Sequence, residues 1–424
     1  MATRKGLFYG WWIVIACWTI TLYGSGIFFY GFSVFFQPIV TEFGWSRAVT
    51  SGAFALSQAE GFIEGPIIGP LVDKYGPRKL MLIGIIMVSI GFVALSLIDG
   101  LLAFYVVYVL LLAVGFNTGF FIAAQAAVGN WFIRRRSFAL GLLTTAFGFG
   151  GAVMVPIIAW LVSEYGWRSA AFSLGIGMAI IGLPMAVLVR HKPEQYGYLP
   201  DGRVEPPAPV RAAGDRANAP SVSVVDEVDF TIWEALRTSA FWILSLAFGF
   251  RTLAISATVI HQIPLLTDRG FSEVAAAGVL ALMSGMSVPG RLLFGYLGDF
   301  FDKRVLVCVA YLMQGVGLVV LLNATRLEHL YLFTVVFGLG WGAPTVLVAL
   351  RGDYFGRRYF ATIAGVQQSV VAIGTIIGPV YAGWIFDTTR SYDAAFLTFI
   401  AAIVVGAILV LFARQPKPPS RIAA

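Results

Sequence analysis

Apolar residues in this chain come in long runs, separated by short stretches rich in polar and basic residues. A helix needs about 20 apolar residues to cross a bilayer core of ~30 Å. Twelve runs of that kind can be traced, roughly at 9–36, 48–70, 79–98, 101–128, 138–162, 169–190, 240–266, 273–298, 304–323, 328–350, 360–385 and 394–413. The pattern predicts an all-α membrane protein of twelve transmembrane helices.

The runs repeat a plan. "GPLVDKYGPRK" (69–79) follows the second and "GYLGDFFDKR" (295–304) the eighth, so Gly69, Leu71, Asp73 and Arg78 match Gly295, Leu297, Asp299 and Arg304. "WFIRRRSFALG" (131–141) echoes "YFGRRYFATIAG" (354–365), Pro156 echoes Pro379, and "SAAF" (169–172) echoes "DAAF" (393–396). Two pseudo-symmetric six-helix bundles are expected, 1–190 and 240–424 (the latter with a short basic tail), related by an axis along the membrane normal. Residues 191–239 change character, with frequent Pro, Gly, Asp and Arg, and read as a flexible cytoplasmic linker. Near its end Thr231 and Glu234 have capping-box spacing, and Trp233, Leu236 and Ala240 share a face, so a short amphipathic helix on the membrane surface is expected.

Composition agrees with the pattern. The 424 residues are 58% hydrophobic and 12% charged, with mean hydropathy +0.83. Soluble domains carry about 25% charged residues, so most of this surface must face lipid. The net charge of +7 is distributed by side: with the N-terminus inside, 21 Lys and Arg fall in inner segments and 5 in outer ones. That asymmetry predicts a multi-pass protein of a cell membrane with both termini cytoplasmic, and speaks against nucleic acid as partner. Cys17 and Cys308 lie inside apolar runs and suggest neither a disulfide framework nor a metal site. The first run is too long for a signal peptide and no A-x-A site follows it.

Ionisable residues inside the runs are the candidate chemistry, because charge in a bilayer core is costly and normally faces a cavity. Arg291 lies about 7 Å from the end of its helix. It is either a cation that snorkels to the surface or one that faces a wet cavity. Ser284, Ser287 and Arg291 fall on one helical face, and Pro289 frees the carbonyl of Gly285, which favours the cavity. Arg251 reaches a similar depth and is either a second anion contact or the partner of a carboxylate. Asn117 is a neutral donor and acceptor near the middle of the fourth run. Glu60 and Glu64 share a face of the second, with Glu60 the deeper and a candidate proton carrier and Glu64 expected to belong with the gate. Arg351 and Asp353 read as gate or interface residues. Three widely separated histidines offer no acid–base or metal cluster, so the chain does not read as an enzyme.

The two loop motifs resemble the signature of the major facilitator superfamily. "YGWW" (9–12), "WFIRRRSFALGLLTTA" (131–146) and "KPEQYGYLPDG" (192–202) are similar to stretches of the monocarboxylate transporters and the bacterial oxalate/formate-type antiporters. The resemblance implies a secondary active transporter, without cofactor and acting as a monomer, that carries a small monocarboxylate of the lactate, pyruvate, formate or acetate type. Proton symport by alternating access is the expected coupling, with exchange of organic anions, dicarboxylates included, as the alternative. It implies that Arg291 binds the substrate carboxylate and that His261 lines the cavity and can take a proton. Ser287 and Asn117 are expected to bind substrate as well, Asn117 alternatively hydrogen-bonding a neighbouring helix. It implies a gate made by Asp73 and Arg78 with Asp299 and Arg304. Asp73 is expected to accept hydrogen bonds from a helix N-terminus of its own bundle. A non-transporting sensor or scaffold of carrier fold would be expected to lose the gate motifs, which are present. The chain departs from its relatives in two places. The eleventh run holds Gln367 and Gln368 but no Lys or Arg, and Ser287 stands where the animal-type carriers have an aspartate.

Overall fold

The computed structural model describes residues 8–202 and 229–419. Ten of its helical stretches are long and apolar enough to cross a membrane. One of them, Arg136–Leu188, is two helices, because Gly166 breaks it with φ 76° and ψ 159°. Another helix, Arg47–Tyr75, is as long but less apolar, since it carries Glu60 and Glu64. Twelve membrane-length helices result among the described residues. They are α1 (Tyr9–Phe43), α2 (Arg47–Tyr75), α3 (Pro77–Leu95), α4 (Leu101–Trp131), α5 (136–165) and α6 (167–188). The second half supplies α7 (Ser239–Asp268), α8 (Glu273–Leu297), α9 (Lys303–Leu322), α10 (Leu327–Phe355), α11 (Phe360–Thr389) and α12 (Asp393–Leu411).

Local chemistry sets the breaks. Gly76 adopts φ 85° and Pro77 follows at the first helical turn, which ends α2 and starts α3. Ser46, Thr238 and Ser272 each accept an amide hydrogen bond at the start of α2, α7 and α8. The expected capping box of Thr231 and Glu234 is present and opens a helix of five residues, Ile232–Leu236.

The packed interior forms two clusters, one for each half of the chain. Val348, Ala349, Phe360 and Ala361 belong to the first cluster although they lie in the second half, so the halves interlock there. Large apolar side chains such as Ile63, Ile90, Leu102, Ile180, Val316 and Val380 point outward, as a lipid-facing surface requires.

The halves meet along two symmetry-related helix pairs, α2 with α11 and α5 with α8. Both depend on glycine. A Cβ on Gly65 or Gly365 would overlap the other's backbone, and one on Gly141 would come 2.8 Å from the Arg291 carbonyl oxygen. Lys74, Arg134, Arg135, Lys303, Arg357 and Arg358 mark one end of the bundle as its basic face.

The two described ends of the linker are docked on this face rather than loose. Asp201 accepts from the amides of Ile133, Arg134 and Arg135 before α5. Asp229 accepts from those of Arg357 and Arg358 before α11. The repeated basic loops thus hold one linker aspartate each. Arg4, Lys5, Arg421 and the middle of the linker lie outside the described residues.

Candidate functional site

Two aspartates join the halves at the basic face. Asp73, near the end of α2, accepts from the amides of Ala361 (3.1 Å) and Thr362 (2.7 Å) and from the Thr362 hydroxyl (2.6 Å). Asp299, its repeat after α8, accepts from the amides of Ser137 (2.9 Å) and Phe138 (3.2 Å). Each carboxylate meets the free amides and positive end of a helix N-terminus. The expectation for Asp73 is corrected in one respect: the helix belongs to the opposite half, α11. Burial pushes the Asp299 carboxyl up to about 6, against the pull of the two amides and of Lys303. The cost of dehydration therefore offsets part of what the hydrogen bonds contribute.

Charge pairs complete the closure. Asp353 binds Arg136 of the other half at 2.9 Å and Lys303 at 2.8 Å. Arg357 reaches the carbonyl of Asn130 (2.8 Å) and Glu194 of the linker (2.9 Å). Asp353 is the interface residue it was expected to be. The expected gate arginines are not. Arg304 is held by Asp302 two residues away, at 2.6 Å, and Arg78 makes no hydrogen bond or ion pair across the halves among the described residues. The cations that do cross, Arg136 and Arg357, stand in the basic loops whose repetition marked them in the sequence.

Above the closure lies a cavity of about 210 Å³ between the halves, lined by Arg251, Arg291 and Arg351 together with Gln125, Thr144, Thr345, Trp341 and Gln368. Arg291 stands over the Trp341 ring at 5.8 Å and donates through Nη1 to the carbonyl of Thr144 on α5. The Nε of Arg251 donates to Gln314 Oε1 at 2.8 Å, and that of Arg351 to Gln367 Oε1 at 2.6 Å. No carboxylate pairs with any of the three among the described residues. Arg351, expected at the gate or interface, proves to be a cavity residue. Gln367 is its brace, and Gln368 lines the space.

A second polar cavity, of about 160 Å³, adjoins the first and shares Phe121, Ile122 and Gln368 with it. Glu64 and Asn117 line it. Thr118 donates to Glu64 at 2.9 Å. Glu60 lies against Glu64, and neither of its oxygens has a hydrogen-bond partner beyond this carboxyl pair among the described residues. Glu64 is therefore a cavity residue and not part of the closure. Asn117 begins a π-helical stretch of α4, Asn117–Phe121, a widened turn of the kind that recurs at functional sites.

Two expected site residues are elsewhere. His261 is hydrogen-bonded to the Pro379 carbonyl (3.0 Å) and the Tyr392 hydroxyl (3.3 Å), and it does not line the cavity of Arg291. Ser287 is buried where α8 packs on α5 near Gly148.

A twelve-helix bundle in two halves, with a charged cavity between them and a closure at one face, has the architecture of a membrane transporter. The Major Facilitator Superfamily profile matches residues 16–345 and 288–424, and the chain belongs to that superfamily. Among curated proteins it is 24% identical to monocarboxylate transporter 12-B of Danio rerio, covering 95% of this chain and 86% of that one. It is 25% identical to monocarboxylate transporter 13 of Bos taurus, over 94% and 88%, and 24% identical to the uncharacterised MFS-type transporter YcxA of Bacillus subtilis, over 94% of each. Of solved structures, the Escherichia coli fucose:proton symporter FucP superposes with TM-score 0.70 at 15% identity, covering 95% of this chain and 98% of that one. FucP in the outward conformation gives 0.71, over 95% and 99%. The protein is thus a multi-pass membrane transporter related to the monocarboxylate transporters, and its relatives are carriers rather than enzymes.

The closure yields a first prediction. Both oxygens of Asp73 accept amide hydrogens, so Asp73→Asn turns an NH₂ group toward a donor and leaves one amide unpaired. An unpaired buried polar group costs ~1–3 kcal/mol, so the open fraction at the basic face is expected to rise by about 5- to 150-fold. The reactivity of a cysteine introduced at Ala361, fully buried in the closed state, reports this. Unchanged reactivity would leave the loop with a topological role only.

Proposed function

We propose that this transporter carries small organic carboxylates by alternating access, with monocarboxylates of the lactate and pyruvate type among them. Arg291 is the anion anchor. The observation that carries this reading is a cavity whose guanidiniums have no carboxylate partner among the described residues. A buried cation without a counter-ion is costly, and a carboxylate substrate supplies one through two parallel charge-assisted hydrogen bonds. The basic face is taken as cytoplasmic from the distribution of Lys and Arg. In this conformation the hydrogen bonds between the halves run from Thr144 and Thr345 at the cavity to Asp73 and Asp299 at the basic face, with Ser369 bonded to the Phe62 carbonyl. The cavity would therefore be loaded from outside. A single chain holds the whole site.

Proton symport is the proposed coupling. Glu60 and Glu64 can hold a proton in a cavity contiguous with the anion site. His261 lines neither cavity and is bonded to Pro379 and Tyr392, so it is not the preferred carrier. In proteoliposomes, an acid-outside pH gradient is expected to drive accumulation of labelled lactate or pyruvate. Uptake that ignores the gradient but rises with preloaded internal anion would establish exchange in its place.

A further inference from the structure

We propose that Arg251, braced by Gln314, forms a second carboxylate subsite beside Arg291, so that the preferred substrate is a dicarboxylate. This rests on the carboxylate reading above and names the substrate class of the same cavity.

Away from the cavity, Arg136, Arg168, Arg269, Arg304 and Arg357 each pair with an Asp or Glu. Arg251 is 5% exposed and has instead the neutral carbonyl of a fully buried glutamine. A glutamine at Nε fixes the plane of the guanidinium without neutralising it. The terminal nitrogens stay free of protein partners among the described residues, and they present the fork that fits a carboxylate. Near Arg251 the Nε2 of Gln314 and the hydroxyl of Tyr311, neither of which lines the cavity, are buried donors with no acceptor among the described residues. Tyr311 lies under Arg251 at 5.9 Å. Guanidinium, amide and phenol thus gather at one place with nothing anionic among them.

Arg251 and Arg291 line the same cavity, close enough for their charges to repel. A monocarboxylate on Arg291 leaves Arg251 uncompensated. A dicarboxylate places one charge on each and removes their repulsion. Arg351 lies about 6 Å from the end of α10 and Arg291 about 9 Å from that of α8, both near the closed face, whereas Arg251 lies about 18 Å from the start of α7, deeper than the similar depth expected of it, so a dicarboxylate held by Arg291 and Arg251 points away from the closure. Glu60 and Glu64 lie against each other on the α2 side, where Thr118 donates to Glu64 and Glu64 lines the adjoining cavity.

The test compares two anions of equal carbon number, butyrate and succinate, by calorimetric titration of the purified full chain. Succinate is expected to bind at least about tenfold tighter than butyrate. Arg251→Gln should weaken succinate about tenfold more than butyrate, removing most of that advantage. Gln314→Leu, which keeps the charge but frees the guanidinium, should weaken succinate selectively as well. Butyrate binding with no preference for succinate in the parent protein would overturn the proposal and leave the carboxylate reading standing. Equal weakening of both anions by Arg251→Gln would also overturn it, by making Arg251 part of the primary site. Binding of neither anion would overturn the carboxylate reading and this inference together.

Discussion

Arg291→Ala is expected to weaken carboxylate binding by about 10- to 150-fold. The range follows from a charge-assisted hydrogen bond to the substrate worth ~1.5–3 kcal/mol. The protein should still fold, because the side chain contributes little to the packed interior. Among the described residues its side chain donates one hydrogen bond, from Nη1 to the Thr144 carbonyl, and its ring contact is to Trp341. Arg291→Lys keeps the charge but loses the second parallel hydrogen bond, so affinity should return only in part. The Thr144 bond adds a further expectation. It joins α8 to α5 across the halves, so a carboxylate that takes over the Arg291 fork competes with an inter-half contact. Substrate binding should therefore shift the closure equilibrium, and Arg291→Ala should remove this dependence. Wild-type affinity in a well-folded Arg291→Ala protein would make Arg291 a structural residue.

Gly365→Val should cause the second large effect, by sterics alone. Gly65 and Gly365 touch through their backbones where α2 crosses α11. A valine side chain there has no flexible neighbour to displace, only the Gly65 carbonyl. Closure at the basic face should be lost, and the cysteine at position 361 should become about tenfold more reactive or higher. Transport should fall with it, since a carrier held open to one side cannot complete its cycle. Gly383→Val is the control, because a Cβ there meets only His261, at 3.9 Å. If Gly365→Val transports and labels like the parent, the close crossing has no part in closure.

How much of this was legible in the sequence differs from residue to residue. The twelve spans follow from run length, because a bilayer imposes one length on every crossing helix. That Arg291 faces a cavity was legible too, because charge inside an apolar helix is costly, although the serines read as sharing its face do not line that cavity. Asp73 was recognised, but its partner was misplaced. The amides it binds are about 290 residues away, and spacing along a chain says nothing of which bundle faces which. The repeats held the missing signal: two aspartates and two basic loops, each pair related by the same symmetry, cross-match in the structure.

His261 and Arg351 were misjudged for a geometric reason. Depth along a helix can be counted from its end, but the facing direction depends on phase. Arg251 and His261 are ten residues apart on α7, which at about 100° per residue turns them roughly 80° away from each other. With Arg251 in the cavity, His261 is turned toward Pro379 and Tyr392. Arg351 is near enough to the end of α10 to pass for an interface residue. Its long side chain nonetheless lines the cavity, held by Gln367, which the sequence showed only as the absence of a cation on α11.

The central claim is that carboxylates cross the membrane through the arginine cavity. Uptake of a panel of labelled carboxylates into proteoliposomes, parent against Arg291→Ala, tests it most directly. At least one carboxylate should be taken up by the parent and competed by unlabelled anion, with uptake near the protein-free background for the variant. Equal uptake by the two proteins, or no uptake of any carboxylate by a parent shown to be folded, would contradict it.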